Sequence, residues 1–414
     1  MSFEAPRFSR TRFSRGGAGA VTAALVAVLT LSACSSGDNG TSGNPGAPGG
    51  LLSAAPGATV KVDITPAPGA TNVSPATPIV VKATGGTLTD VIVTNTAKNK
   101  PVTGGMSADK TTWTSSEPLG YGSTYAVDAK GADPNGQTVE QQGKVTTLTP
   151  AKQANPNLLP APSAVAQTGV GVGQVIGFQF TYPVKNKSAV EKQLSVQSNP
   201  SQPGSWYWMD DKNVHYRPKQ YWQPGTTLTV SAKVYGVDFG NGVYGAEDRT
   251  ETYRIHDSWI AKADGNTDQM QIFHNGQMVK SMPISLGKDS TPTHVGPHVI
   301  SFKAQKYTMD SCTYGVCQGQ PGWYKSDEYW TERISDDGEF VHMNPNSVGA
   351  QGNANVSHGC INLNEENATW FFNTLGLGDV VEVTNSGGPP LPVYDLYGDW
   401  ELSWDQWQKG SALK

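Results

Sequence analysis

Turn-forming residues divide this 414-residue chain into short segments along most of its length. The chain contains 47 Gly and 28 Pro. Many of them separate short runs rich in valine, threonine and tyrosine, as in "TVKVDITPAPGATNVSP" from Thr59 onward. Such runs are too short for long helices, and their β-branched and aromatic residues favour strands that end at turns. The sequence therefore predicts a mainly β fold with few helices.

The spacing of these runs predicts how the chain is divided into domains. Residues 59–150 and 151–252 each contain strand-like runs separated by about 8–12 residues, which is typical of an antiparallel β-sandwich, so we predict two Ig-like domains. A third, β-rich domain with one short helix is predicted over residues 253–386. Its predicted elements are strands at 258–263, 269–274, 277–286, 298–304 and 378–385, a hairpin turn at Asn275-Gly276, and a helix from Glu365 to Leu375 capped by Asn364.

The amino terminus has the order of regions found in an export signal. Four arginines precede an apolar run from Ala18 to Leu31 that is too short to span a bilayer stably. The run ends in "LSAC", which resembles the bacterial lipobox, so we predict a lipoprotein signal over residues 1–34 with Cys34 as the lipidated residue. An ordinary signal peptide with a chance cysteine is the alternative. Residues 35–58 are predicted to be a flexible linker, and the mature protein to be exported and anchored at the outer face of the cytoplasmic membrane, acting in the cell wall or periplasmic space.

The overall charge argues against one class of partner. The chain has 30 Lys and Arg against 35 Asp and Glu, a formal net charge of −5, whereas nucleic-acid recognition favours a basic patch. No phosphate-binding or dinucleotide-binding glycine motif occurs in a suitable context. We therefore expect no nucleic acid partner and no cofactor.

The cysteine count predicts one unpaired thiol. The chain has four cysteines, and if Cys34 carries lipid, three remain. Cys312 and Cys317 are five positions apart around a glycine-containing turn, and an exported compartment permits a disulfide between them. A metal site made of these two thiolates is the weaker alternative, since no histidine is adjacent. We predict the disulfide, no metal, and a free thiol at Cys360.

The free thiol has neighbours that a nucleophile needs. His342 ends an apolar alternating run and precedes Cys360 by 360 − 342 = 18 positions, and a Cys–His pair within one fold can form a thiolate and an imidazolium. Gly359 allows close backbone approach, so its N–H and that of Cys360 are candidate donors to an oxyanion. These residues predict acyl transfer through a thioester.

The segment "FVHMNPNSVGAQGNANVSHGCINL", residues 340–363, resembles the signature of the L,D-transpeptidases with a YkuD-type catalytic domain. That signature is a histidine, a spacer and then Ser-His-Gly-Cys-x-Asn. The similarity extends upstream to "STPTHVGPHVI" and downstream to "GDVVEV". The lipobox, the tandem Ig-like modules and the Trp-rich tail resemble mycobacterial members of the family.

This resemblance implies a mechanism and a set of site residues. Cys360 would attack the meso-diaminopimelate carbonyl of a donor tetrapeptide stem, release D-alanine and form a thioester. The amine of a second stem would resolve it into a 3→3 peptidoglycan cross-link.

His342 would be the base, oriented by the Met343 carbonyl, while His358 and Asn362 would order the catalytic loop. Carbapenem-type β-lactams would acylate the same cysteine. A lid over residues 303–324 would line the donor groove with Met309, Tyr314 and Tyr324, the last as an extra oxyanion donor.

Some positions depart from the family pattern. Asn346 stands where a tryptophan is common, and a disulfide in the lid is unusual. His294 and His298 are predicted to share one face of a strand. Without a third ligand nearby, we expect surface exposure or strand packing for these histidines rather than a metal site.

Aromatic residues are concentrated in two places. The first is a cluster in the second sandwich, which we interpret as core or interdomain packing rather than as a carbohydrate platform: Trp206, Tyr207, Trp208, Tyr216, Tyr221 and Trp222. The second is the extension over residues 387–414, where Trp400, Trp404 and Trp407 lie along one face. We expect this face to pack on the neighbouring domain rather than to bind a ligand.

Three other functions are compatible with parts of the sequence. Water in place of the amine would make the protein an L,D-carboxypeptidase, and the sequence does not specify the acceptor. A wall-binding protein with an inert domain is a second possibility, although both Cys360 and His342 are present. A cysteine protease is the third, and the papain-like signature is absent.

Overall fold

The computed structural model describes residues 52–413, with the side chain of Tyr314 excepted. The predicted signal segment, the lipidation site Cys34 and the larger part of the predicted linker lie outside the described residues. Within them the chain is mainly β with few helices, as predicted. No helix in residues 52–413 is long and apolar enough to cross a bilayer.

Two sheets enclose the core of the first module. Buried and exposed side chains alternate along its strands, as in Lys61–Thr65, where Val62 and Ile64 are buried. The predicted flexible linker over residues 35–58 is wrong at its end, because Leu52–Ala54 pairs with the strand Thr138–Thr146. The edge of a sheet has free backbone N–H and C=O groups, so a short strand can pair there without burying its side chains. In sheet order the strands are Leu52–Ala54, Thr138–Thr146, Thr124–Ala132, Thr87–Asn95 and Lys100–Pro101, then Lys61–Thr65, Val80–Thr84, Thr112–Ser115 and Gly104–Met106.

The second module has an aromatic core. Four members of the aromatic cluster are at most 8% exposed and pack into this core: Trp206, Trp208, Tyr216 and Trp222. Three sheets surround them, with strands Pro156–Leu159, Ile176–Phe180, Asn213–Pro218 and Gly204–Trp208; Leu194–Asn199, Thr227–Ala232 and Arg249–Arg254; and Lys152–Ala154, Val243–Gly245 and Asp238–Gly240. Two short helices complete the module, Pro162–Val165 and Lys187–Glu191.

The third region contains two sheets and one helix around a shared apolar core. The helix Glu365–Thr374 begins, as predicted, after Asn364, whose side chain accepts a hydrogen bond from the Asn367 N–H at 2.9 Å. The five-stranded sheet has the order Gln277–Pro283, Gln269–His274, Trp259–Asp264, Val380–Thr384 and Gly296–Val299. The four-stranded sheet has the order Phe302–Asp310, Lys325–Arg333, Phe340–Met343 and Ile361–Leu363.

One predicted strand of this region is wrong. Residues 298–304 do not form a single strand, because Gly296–Val299 pairs with Val380–Thr384 whereas Phe302–Asp310 pairs with Lys325–Arg333 in the other sheet. Backbone pairing partners distant in the sequence decide where the chain changes sheets. The alternation of residue types contains no such information.

The carboxyl-terminal extension packs against the second module. Trp400 Nε1 donates to the Gly173 carbonyl at 2.8 Å, and Trp407 Nε1 donates to the Ser205 carbonyl at 2.9 Å. The Arg217 guanidinium lies 4.6 Å from the ring centres of both tryptophans, a cation–π arrangement that supports the contact. The extension contains the 3₁₀ turn Gly398–Glu401 and the helix Trp404–Gln408; the other 3₁₀ turns are Ser311–Tyr314 and Pro345–Ser347.

Candidate active site

Parallel pairing of two short strands brings Cys360 and His342 together. Phe340–Met343 and Ile361–Leu363 lie side by side, with His342 opposite Asn362 and Val341 opposite Ile361. Cys360, directly before the second strand, is 7% exposed and is the free cysteine of the described residues. The pair expected from the sequence is therefore adjacent in space, at one end of the four-stranded sheet.

A cavity of about 350 Å³ opens at this pair. It lies under a hairpin formed by Phe302–Asp310 and Lys325–Arg333, which we call the lid hairpin. The predicted lid over residues 303–324 was too short, because the pairing continues through the whole second strand. The cavity is lined by Met309, Tyr324, Ser326, Glu328, His342, Asn344, Asn346, Ser347, Val356, Ser357, His358, Cys360 and Asn362.

Most of the residues expected to form the donor groove line this cavity. Met309 and Tyr324 reach it from the lid hairpin, and His358 and Asn362 from the cysteine side. The side chain of Tyr314 lies outside the described part of the chain. Asn346 also lines the cavity, so an amide occupies part of the wall where the family pattern has an indole.

The backbone of Met343 orients His342. His342 Nδ1 lies 2.9 Å from the Met343 carbonyl oxygen. Since a carbonyl only accepts, Nδ1 carries the proton, and Nε2 is left to take a proton from the thiol. This tautomer is the one that a general base beside Cys360 requires.

Glu328 makes a second contact with the same nitrogen. Its Oε2 lies 3.4 Å from His342 Nδ1, and its Oε1 accepts a hydrogen bond from Ser326 Oγ at 2.7 Å. Burial by itself would lower the pKa of His342, but hydrogen bonds to Cys360 and Glu328 and the charges of both groups outweigh burial and raise the pKa. Burial likewise acts to raise the pKa of Glu328, and the hydrogen bonds from His342 and Ser326 lower it. Glu328 and the imidazolium thus stabilise each other's charged forms.

Sequence reasoning missed Glu328. Side chains alternate between the two faces of a strand, so Ser326 and Glu328 lie on one face of Lys325–Arg333, and both line the cavity together with Tyr324. Tyr324 was predicted to line the groove, and Glu328 follows it by four positions. In an extended strand the two side chains are therefore expected on the same face. Without knowledge of the strand pairing, however, nothing indicated that this face meets His342.

Side-chain hydrogen bonds hold the loop before Cys360. Ser357 Oγ donates to the Cys360 carbonyl at 2.6 Å, and Thr293 Oγ1 donates to the Gly359 carbonyl at 2.8 Å. The Gly359 N–H donates to Ser357 Oγ at 3.1 Å. The Gly359 N–H is thus engaged by Ser357 in this structure, and its role as an oxyanion donor stays a prediction. The glycine is needed for its backbone, since φ is +120°, a region that favours glycine.

Behind this loop lies an arrangement of two histidines and one carboxylate, of which His298 and Glu339 are buried and His294 is partly exposed. Glu339 Oε1 accepts from both the N–H and Nδ1 of His294 at 2.9 Å, and Oε2 lies 3.3 Å from His298 Nε2. His298 thus packs within the strand Gly296–Val299, which is one of the two expected outcomes, while His294 lies before that strand and is partly exposed. The contact of both histidines with Glu339 was not predicted. A Cβ at Gly359 would lie 3.4 Å from Glu339, so the carboxylate packs directly against the loop. Within residues 52–413, no three or more His, Cys, Asp or Glu side chains form a group suited to a metal ion.

His358 and Asn362 occupy different places in the cavity wall. His358 Nε2 lies 3.2 Å from Lys288 Nζ, and its ring centre is 5.7 Å from that of Tyr324. Burial lowers the pKa of His358, and the Lys288 charge lowers it further, so this imidazole accepts a hydrogen bond from the ammonium. Asn362 is 1% exposed and exchanges two backbone hydrogen bonds with Ser285, which ties the strand Ile361–Leu363 to the segment around Ser285.

The tip of the lid hairpin is closed by a disulfide between Cys312 and Cys317. Ser311 Oγ donates to the Val316 carbonyl at 2.8 Å and accepts from the Tyr324 N–H at 2.9 Å. The tip that the disulfide closes is thus hydrogen-bonded to Tyr324, which lines the cavity. The structure joins the two cysteines to each other and leaves Cys360 as the thiol in the cavity.

Comparisons with known proteins identify two matching regions and several relatives. Residues 258–383 match the model of the L,D-transpeptidase catalytic domain, and residues 70–238 match that of a bacterial Ig domain. The chain is similar to L,D-transpeptidase 2 of Mycobacterium tuberculosis (strain CDC 1551 / Oshkosh), at 39% identity over 83% of each chain. It is also similar to L,D-transpeptidase 5 of strain H37Rv, at 36% identity over 88% of this chain and 79% of that one. A solved structure of LD transpeptidase LdtMt1 in complex with imipenem aligns with 57% of this chain and 100% of its own, at 32% identity and a TM-score of 0.49. Because two relatives at 39% and 36% identity are matched over most of their length, the chain belongs to the L,D-transpeptidase family.

Proposed function

We propose that this enzyme forms 3→3 cross-links between meso-diaminopimelate residues of peptidoglycan stem peptides, through a thioester on Cys360. The observation that supports this most is the placement of the free thiol beside His342 at a cavity covered by the lid hairpin. A peptide chain can enter such a cavity, and a nucleophile with its base can attack a carbonyl held there.

The first half-reaction forms the acyl-enzyme. The thiol proton passes to Nε2 of His342, and the thiolate forms a bond to the carbonyl carbon of the donor diaminopimelate. The oxyanion then collapses, the carbon–nitrogen bond to D-alanine breaks, and the leaving nitrogen takes the proton from His342. The Cys360 N–H and the Tyr324 hydroxyl are the proposed oxyanion donors.

The second half-reaction uses an amine as the acceptor. The side-chain amine of a second stem attacks the thioester carbon and gives a proton to His342. The carbon–sulfur bond breaks and the proton returns to the sulfur, which leaves an amide between the two stems and the enzyme unchanged. Water in place of the amine would give L,D-carboxypeptidase activity with the same residues.

Carbapenem-type β-lactams are proposed as covalent inhibitors. Attack of Cys360 on the strained carbonyl opens the β-lactam ring, and the nitrogen that would otherwise leave stays attached to the drug. The adduct therefore keeps the full mass of the drug. The proposal rests on family membership and on the free thiol of Cys360 in the cavity lining. An adduct on the wild-type protein that Cys360→Ala lacks would support it.

We also propose that the enzyme acts outside the cytoplasmic membrane, anchored through a lipid on Cys34. The support is the lipobox-like sequence at residues 31–34, together with the disulfide in the lid hairpin, which suits an oxidising compartment. A lipid-modified amino terminus in the mass spectrum of the membrane fraction, lost in Cys34→Ala, tests this.

The test of the reaction is incubation of the purified protein with a disaccharide tetrapeptide. We expect a cross-linked dimer lacking one D-alanine in the mass spectrum, and no such product with Cys360→Ala. Release of D-alanine without dimer would instead identify a carboxypeptidase. An unchanged substrate would contradict both activities and favour an inert, wall-binding protein.

A further inference from the structure

Glu328 approaches the catalytic histidine from the lid hairpin. Its carboxylate Oε2 lies 3.4 Å from His342 Nδ1, the nitrogen that also faces the Met343 carbonyl at 2.9 Å. His342 is 5% and Glu328 20% exposed at the side chain. Water therefore screens this contact only partly, and a charge interaction across it is stronger than between groups at the surface.

The carboxylate is held in this place by its own strand. Ser326, two residues earlier on the same face, donates its hydroxyl proton to Glu328 Oε1 at 2.7 Å. The intervening Asp327 points to the other face, where it accepts from Thr308 Oγ1 at 2.6 Å and pairs with Lys306 at 2.8 Å. The strand therefore presents one carboxylate to the cavity and the next one to solvent.

We infer that Glu328 is a positioning residue, which acts through Nδ1 of His342 to hold the imidazole in its charged form and so keeps Cys360 as a thiolate. This inference rests on the proposed function in taking Cys360 as the nucleophile. Once the thiol proton has passed to Nε2 of His342, the site is a row of three groups: a carboxylate, an imidazolium and a thiolate.

The charges around the imidazole favour this arrangement of carboxylate, imidazolium and thiolate. On one side the imidazole interacts with Glu328 from the lid hairpin, and on the other with Cys360 from the loop that precedes the strand Ile361–Leu363. Asp327 is the further charged neighbour of Glu328, and across the cavity His358 interacts with Lys288. Because the imidazole lies between them, the carboxylate attracts the imidazolium more strongly than it repels the thiolate.

This role bears on the first half-reaction. A site that already contains a thiolate and an imidazolium has the nucleophile ready and the proton stored for the leaving nitrogen of D-alanine. No proton needs to be taken from solvent at that step, and none is lost. In the tetrahedral intermediate the sulfur is no longer charged, and Glu328 continues to support the charge on His342 until the leaving nitrogen takes the proton.

The test is the pH dependence of Cys360 alkylation, which needs no peptidoglycan. The full-length wild-type protein and Glu328→Gln are treated with iodoacetamide across a pH series, and the rate is read from intact mass. Only the thiolate reacts, so the midpoint of the profile reports when the Cys360–His342 pair forms it. We expect the midpoint to move up by about one pH unit in Glu328→Gln, so that the rate below the midpoint falls about tenfold.

Asp327→Asn is the matched control. It removes the same charge from the adjacent position on the opposite face, and we expect no resolvable shift. Ser326→Ala, which only loosens the carboxylate, should shift the midpoint in the same direction by a smaller amount. In a His342→Gln background, Glu328→Gln should have no further effect, since the carboxylate acts through the histidine.

Three results would overturn the inference. An unchanged midpoint in Glu328→Gln would mean that the carboxylate does not influence the pair, and a lower midpoint would mean that it mainly repels the thiolate. An equal shift without His342 would mean that it acts directly on sulfur. Since alkylation is independent of cross-linking, a shifted midpoint in a protein that forms no dimer would leave the inference standing and refute the proposed function instead.

Discussion

Two histidine–carboxylate arrangements lie close to Cys360, and they differ in what their imidazoles face. Glu328 and His342 line the cavity, and the second nitrogen of His342 is available to the thiol. Glu339, by contrast, is enclosed between His294 and His298 behind the loop that contains Gly359. A histidine beside a carboxylate thus supports proton transfer at His342, where one imidazole nitrogen is open to the thiol. The same residue types at Glu339 support the stability of the fold, because there the carboxylate is enclosed by its histidines.

Exchange of the cavity histidine should have the largest effect. In His342→Gln the thiol loses its proton acceptor, and we expect D-alanine release to slow by about 10²–10⁴-fold. His298→Gln changes the same residue type in the enclosed arrangement, and its rate per folded molecule should stay close to that of the wild type. Equal losses in the two variants would contradict the division of roles.

Exchange of the enclosed carboxylate should affect stability instead. Glu339→Gln removes the negative charge between the buried His298 and the partly exposed His294 and leaves one acceptor oxygen for the two, so we expect the free energy of unfolding to fall by about 3 kcal/mol. Glu328→Gln affects a partly exposed contact and should cost less than about 1 kcal/mol. Urea unfolding followed by tryptophan fluorescence measures both, and a larger loss in Glu328→Gln would reverse the comparison.

The stability difference between wild type and Glu339→Gln should depend on pH in a defined window. Burial acts to raise the pKa of Glu339, but its hydrogen bonds to His294 and His298 outweigh burial and lower it, so its contribution is lost as the pH falls through that lowered value. The hydrogen bond to Glu339 raises the pKa of His294, so the contribution of His294 is present below about pH 6.5 and is lost as the pH rises through the raised value. Unfolding across a pH series should therefore show the largest difference between these limits; a difference that grows steadily into alkaline pH would contradict the ion pairs.

The lid disulfide should have the smallest effect on this comparison. Among the three described cysteines, we expect one reactive thiol in the native protein and three after reduction. In a variant with both Cys312→Ser and Cys317→Ser, the alkylation midpoint of Cys360 should not shift measurably, because Glu328 is held by Ser326 within the paired strands. A shift like that of Glu328→Gln would mean that the bonded tip, rather than the strand, positions the carboxylate.

The parts of the site that were predictable have local signals. The motif around Cys360 and His342 identified both residues, and Met343 followed as the residue whose carbonyl faces His342 Nδ1. Helix capping by Asn364 and the strand Gln269–His274 were also found, since each depends on neighbouring residues. The contact between the Gly359 N–H and Ser357 was not found, because it depends on how the loop folds and the spacing of residues does not reveal it.

The sequence by itself determined a mainly β chain, the free thiol, its histidine and the family. These follow from turn residues, cysteine count and one continuous motif, all of which are local in the chain. Only the tertiary structure decided that Glu328 meets His342 and that Glu339 joins His294 and His298. The physical reason is that strand pairing between distant segments determines which faces meet, and the energy of a carboxylate beside an imidazole depends on that meeting and on the burial that accompanies it.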